Sequence, residues 1–156
     1  MDLQKFRAQL IAAFPPQPFH GPAATHEGCD ECNELRRELR GKSWDQVPAE
    51  FIDFNSAALC LLDPDALVAF LPAWLLRSME TLDTESVLAE FTLYFLCPGS
   101  DDEEGWDEKR IAARVKLFAS AQRTAVAVFL QSILESPAFS SHRSYAEFGL
   151  RWWREL

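Results

Sequence analysis

His26, Cys29 and Cys32 stand at intervals of three residues in HEGCDEC, and His20 lies just upstream in PPQPFHGP. These side chains are the ones whose types and spacing suit chemistry. The Cys29-x-x-Cys32 step lets two thiolates meet one ion, and His20 and His26 are close enough in sequence to complete a Cys2His2 set for structural zinc. Such an ion would pin the Pro-rich stretch, which has little apolar surface of its own, onto the helix that follows. A standard finger separates its ligand pairs, whereas here all four donors fall within thirteen residues. The zinc-deaminase pattern fails, because Glu27 directly follows His26 and no proline precedes Cys29.

The same residues admit two other readings. Cys29 sits just before the charged segment ELRRELR, so a helix N-terminus would favour its thiolate in a redox pair. Against this, Glu27, Asp30 and Glu31 would raise the thiol pKa, and no strand–helix–strand pattern suggests a thioredoxin-like scaffold. The third reading is a loop that carries two free thiols.

Elsewhere the chemistry is thinner. His142 lies beside Ser140, Ser141 and Ser144, but no Gly-x-Ser-x-Gly elbow accompanies them, and serines in such a stretch serve as turn and cap residues. No convergent catalytic set is found, so an enzyme is not expected. Six acidic residues fall between Asp101 and Glu108 without the ligand spacing of a calcium loop. With Trp106 among them, Asp101, Asp102, Glu103 and Glu104 have the composition of a patch that meets a basic protein, charge speeding encounter and indole supplying anchoring area. RWWREL at the C-terminus adds Trp153, expected to point away from the core stripe that carries Trp152. Arg36, Arg37, Arg40 and Lys42 are interleaved with Glu34 and Glu38 and read as a solvated helix face.

The elements that must position these residues are helices. Ile111, Val115 and Phe118 make one apolar stripe, as do Val126, Phe129, Leu130, Ile133 and Leu134; further stripes are Val87, Leu88, Phe91, Tyr94 and Phe95, and Tyr145, Phe148 and Trp152. Breakers at PPQPFHGP, GKSW, DPDA, LDTES and CPGSDDEEGW divide the chain into about seven helices. Asp83 or Thr84 is placed to cap a helix starting near Glu85, and FLPAWLL sets a proline break at Pro72. The fold class is therefore all-α, a single domain over residues 1–156, with residues 15–43 forming a His/Cys-containing Pro-rich segment and a basic helix packed on it.

Composition bounds the function. At 156 residues the chain can bury roughly 70% of its unfolded surface. A net charge of −9 and a pI near 4.8 oppose nucleic acid and anionic membrane surfaces and favour a basic protein partner. The longest uncharged apolar run, ALVAFLPAWLL, has eleven residues, against the roughly 20 a bilayer requires. MDLQKFRAQLIAAF has Leu3, Phe6, Leu10 and Phe14 at helical spacing and reads as a helix, not a signal peptide. Cys60 and Cys97 lie in apolar surroundings as free thiols do, which with the missing signal points to a reducing cytoplasm.

WDQVP from Trp44, SAALCLLDPDALVAFLPAWLL, EFTLYFL and SAQRTAVAVFLQSIL, spread over residues 44–135, together resemble a bacterial family of small uncharacterised proteins known as a domain of unknown function. LLDPDALVAFLPAWLL and QRTAVAVFL carry the resemblance most specifically, and some members have a His/Cys cluster near the N-terminus. The resemblance implies an all-helical, bacterial, cytosolic protein and no particular reaction. The expectation from all of this is a small acidic cytoplasmic protein-binding module, an immunity- or antitoxin-type inhibitor of a basic partner. The alternative is a structural zinc protein built on His20, His26, Cys29 and Cys32.

Overall fold

The structure, a computed structural model, describes residues 2–99 and 107–155. Eight α-helices follow in order: α1 (Leu3–Ala13), α2 (Asp30–Leu39), α3 (Ala49–Phe54), α4 (Pro64–Glu80), α5 (Leu88–Leu96), α6 (Glu108–Val115), α7 (Ser120–Glu135) and α8 (Arg143–Glu155). Short 3-10 turns at Trp44–Gln46, Ala58–Leu61 and Pro137–His142 join them, and there is no β-strand among the described residues. The all-α expectation holds, with one helix more than the breakers suggested.

Local chemistry sets the starts. Asp2 Oδ1 accepts the Gln4 N–H at 2.9 Å, capping α1, and Asp107 Oδ1 accepts the Arg110 N–H at 3.0 Å, capping α6. Pro64 occupies the first position of α4, where its missing N–H costs nothing. Gln46 and Gln122 reach back to the Ser43 and Ala119 N–H groups at 3.0 and 2.9 Å, each satisfying a donor that a helix start leaves over.

Packing is organised on α4, which touches α1, α3, α5, α7 and the Trp44–Gln46 turn. Phe70, Leu71, Trp74 and Leu75 are completely buried along it. The break expected at Pro72 does not occur: α4 runs unbroken through it. A proline there deprives the Val68 carbonyl of its usual donor and costs about 3 kcal/mol in a helix interior. The apolar side chains on both sides of Pro72 are sunk in the core, and their burial, about 1.5–3 kcal/mol each, outweighs that cost.

Two apolar stripes lie elsewhere than their spacing suggested. In α5 the buried face is Leu88, Ala89, Thr92, Leu93 and Leu96, while Val87 and Phe91 are exposed. Thr92 is buried because its hydroxyl meets that of Ser78 at 3.0 Å, a pairing that an apolar count overlooks. The helix also begins three residues late: Ser86 Oγ, not Asp83 or Thr84, accepts the Leu88 N–H. In α8 the two tryptophans are reversed. Trp153 is 1% exposed and donates its indole N–H to the Leu96 carbonyl at 3.1 Å, whereas Trp152 is only partly buried. Trp153 therefore cannot serve as a partner-binding anchor.

The contact of α7 with α8 is the most extensive between helices, and it brings Gly149 of α8 against Cys97. A Cβ on Gly149 would overlap the Cys97 sulfur and press on Leu130 of α7. Arg114 fastens α6 to α5 by donating to the Phe95 carbonyl and lying 3.8 Å over the Phe95 ring. Gly149→Ala is predicted to cost about 1–3 kcal/mol through overpacking. Urea unfolding should show it as a lowered midpoint, and Cys97→Ala in the same chain should recover part of the loss.

Candidate functional site

The Pro-rich stretch ahead of α2 is held by its backbone. The Phe19 N–H donates to the Lys42 carbonyl at 2.9 Å, the Gly41 N–H to Phe19 at 2.8 Å, and the Asp63 N–H to Ala23 at 2.9 Å. The Phe19 ring stands edge-on to Phe70, and Ala23 and Ala24 are buried. Arg36 then turns back from α2: one guanidinium nitrogen donates to the carbonyls of Ala24, at 2.5 Å, and His26, at 3.0 Å, and the other to Asn33 Oδ1. The pinning that the sequence assigned to a zinc ion is thus provided by a guanidinium, whose forked donors suit two carbonyls and an amide at once.

Gly28 adopts φ +74°, a left-handed turn that glycine enters without steric cost, and it delivers Cys29 to the N-cap of α2. There the Cys29 sulfur accepts the Cys32 N–H at 3.3 Å. Cys29 is half-buried and Cys32 completely buried, whereas His20 and His26 are both exposed. The structure brings the two cysteines together and does not gather the histidines with them. Among the described residues no three His, Cys, Asp or Glu side chains form a group able to hold a metal ion.

The thiols are unequal. Hydrogen bonds from the Cys32 side chain and backbone hold the Cys29 thiol below its ordinary range, overriding the upward push of burial and of Glu31. The same thiol–thiol hydrogen bond, then burial, raises Cys32, with Arg36 opposing. The expectation that the neighbouring carboxylates would set the sign at Cys29 is not met. Hydrogen bonds at contact distance outweigh charges that face solvent.

A second cluster was not foreseen. His142 Nδ1 lies 3.1 Å from Ser141 Oγ, and Nε2 lies 3.3 Å from Glu90 Oε1, which also accepts the Tyr94 hydroxyl at 3.0 Å. Burial first, then the bond to Glu90, pushes Tyr94 up to about 12. Glu90 and His142 are 52 residues apart, so no local spacing could signal the pair. An imidazole between a hydroxyl and a carboxylate is the grouping that general-base chemistry uses. Here Glu90 is shared with Tyr94, and the imidazole packs beside the Tyr94 and Phe139 rings, with centroids at 5.7 and 5.5 Å. The set ties α5 to the turn between α7 and α8.

The third region is α3, which exposes Glu50, Asp53 and Phe54. Phe54 is 83% exposed. Asp53 is gripped by both sides of the Arg77 guanidinium, Nε at 2.8 Å and a terminal nitrogen at 2.6 Å, and Arg77 also reaches Glu80 at 3.2 Å. That hydrogen-bonded pair holds the Asp53 carboxyl below its usual range and raises Arg77. Asp45 adds a further exposed carboxylate near the groove that Arg77 and Glu80 line. Of the acidic patch read from the sequence, Asp101, Asp102, Glu103, Glu104 and Trp106 lie outside the described residues.

A family model described as "Family of unknown function (DUF6714)" matches residues 24–156. No curated protein and no solved structure matches the chain.

Arg36→Ala is predicted to destabilise the fold by about 1.5–3 kcal/mol, the range for hydrogen bonds to a charged group, with amide exchange rising first in residues 23–29. For Asp53 the folded pKa is depressed, so its contribution is present at neutral pH and lost as pH falls through the folded pKa. Asp53→Asn should therefore cost about 0.2–1 kcal/mol near pH 7, as exposed pairs do. Urea titrations should show that cost fading below about pH 4, where the carboxyl begins to protonate in the unfolded chain.

Proposed function

We propose that this chain, which belongs to the DUF6714 family of unknown function, acts by binding a basic protein partner, as an inhibitor of the immunity or antitoxin type in a bacterial cytoplasm. The observation that carries this reading is Phe54, a full aromatic side chain 83% exposed and flanked by the exposed carboxylates of Asp53 and Glu50. An exposed aromatic side chain with acidic neighbours on its helix has the composition of an interface centre, where the ring supplies buried area and Glu50 attracts a cationic surface while Asp53 already holds Arg77. A net charge of −9 supports the sign of the partner and disfavours nucleic acid. The four free thiols suit a reducing compartment. The patch sought in the sequence at Asp101–Trp106 has a similar composition, acidic residues around an aromatic one.

Affinity capture from a bacterial host, with the native chain and Phe54→Ala as paired baits, tests the proposal. A partner rich in Lys and Arg should bind the native chain, weaken at least about tenfold with Phe54→Ala, and dissociate as salt rises from about 0.05 to about 0.5 M. Equal binding by both baits together with indifference to salt would overturn it.

A further inference from the structure

We propose that Cys29 and Cys32 form a reversible dithiol–disulfide site, in which Cys29 attacks a low-molecular-weight disulfide and Cys32 resolves the mixed disulfide. Three features of the geometry carry this. Cys29 is the N-cap of a ten-residue helix, its sulfur already accepting a backbone N–H of the first turn at 3.3 Å, which is the environment that stabilises a thiolate. Cys32 lies one turn further on and is itself the residue whose backbone N–H meets that sulfur, so the resolving residue stands beside the attacking one. Exposure then separates the roles: Cys29 reaches solvent, and Cys32, completely buried, meets no small molecule directly.

The exchange balances without any further reagent. The Cys29 thiolate attacks one sulfur of RS–SR, forming a Cys29–S–S–R bond and releasing RS⁻, which takes a proton from water. The Cys32 sulfur then attacks the Cys29 sulfur, its proton passing to the departing RS⁻. The Cys29–Cys32 bond forms as the second RS⁻ leaves and is protonated. The dithiol is oxidised by two electrons, and RS–SR is reduced to two RSH; excess thiol drives the sequence backwards. Side chains three apart on a helix have Cβ atoms about 5–6 Å apart, and those of a disulfide about 3.5–4.5 Å apart, so closure takes only a small adjustment of the first turn. This site is independent of the face around Phe54.

The test uses the full chain with glutathione disulfide as probe and Cys60, an exposed thiol, as internal control. In the Cys60→Ser chain, peptide mass mapping should find a Cys29–Cys32 disulfide and no lasting glutathione adduct, reversed by reduced glutathione. In the Cys29→Ser, Cys60→Ser chain, which keeps an oxygen acceptor at the N-cap, Cys32 should react at least about tenfold more slowly than Cys29 does with Cys32 present. The proposal is overturned if the pair stays reduced at concentrations that fully glutathionylate Cys60 in the native chain. It is equally overturned if Cys32 reacts as fast without Cys29 as with it.

Discussion

The structure depends on the burial of α4. A helix apolar around most of its circumference must be enclosed on most sides, and α1, α3, α5 and α7 supply the enclosure. This requirement explains the indifference to Pro72. The helix is held by its surroundings, not by its own hydrogen bonds, so losing one of them does not end it. It also accounts for the tryptophans. Trp74 and Trp44 sink their rings into the core and hand their N–H groups to the carbonyls of Asn55 and Phe14, at 3.2 and 2.8 Å, just beyond the ends of α3 and α1. Trp153 does the same with Leu96 at the end of α5. Large side chains thus close the helix ends they pack against.

Most polar side chains inside the fold obey the same accounting, the buried Ser136 Oγ being without a partner among the described residues. Ser78 and Thr92 pair with one another, and Ser132 bonds back to the Val128 carbonyl at 3.0 Å. Charge is kept at the surface, and where a guanidinium comes inward, as Arg114 does, it meets a carbonyl and an aromatic face. Burial, with Arg110 adding to it, lowers the Arg114 pKa to about 10, still well above neutrality, so the cation persists. Glu50 and Asp53 are exposed on α3 together with Phe54, an aromatic side chain that the core did not take in.

Sequence periodicity disclosed the helices and the core faces of α6 and α7, since Ile111, Val115, Val126, Phe129, Leu130 and Ile133 are all buried as their spacing requires. It misplaced α5 and α8 because their buried faces include Thr92 and Gly149, a polar residue and a residue without a side chain, and neither enters an apolar count. The chemistry of HEGCDEC was visible as residue types but not as roles. What separates a metal site from a thiol pair is where the histidines point and what holds the loop. The loop is held by Arg36, ten residues beyond His26, whose neighbours in sequence made it look like part of a solvated stripe. The Glu90–His142 contact was beyond reach for the simpler reason that it joins separate elements.

The identity of the α2 cap is itself informative. At an N-cap, Ser, Asp, Asn and Thr supply a strong oxygen acceptor, and their loss costs about 0.5–2 kcal/mol. Sulfur is a weak acceptor, so a chain optimised for helix stability alone gains by any of those residues at position 29. Here the loop on one side is fastened by Arg36 and the helix on the other by Leu35 and Leu39 in the core, so α2 does not rely on its cap. That redundancy frees position 29 from a stabilising duty. A thiol can occupy it, accept the Cys32 N–H at 3.3 Å, and remain partly open to solvent. Anchoring by the arginine is therefore the condition under which a reactive sulfur at this helix end is compatible with a folded α2.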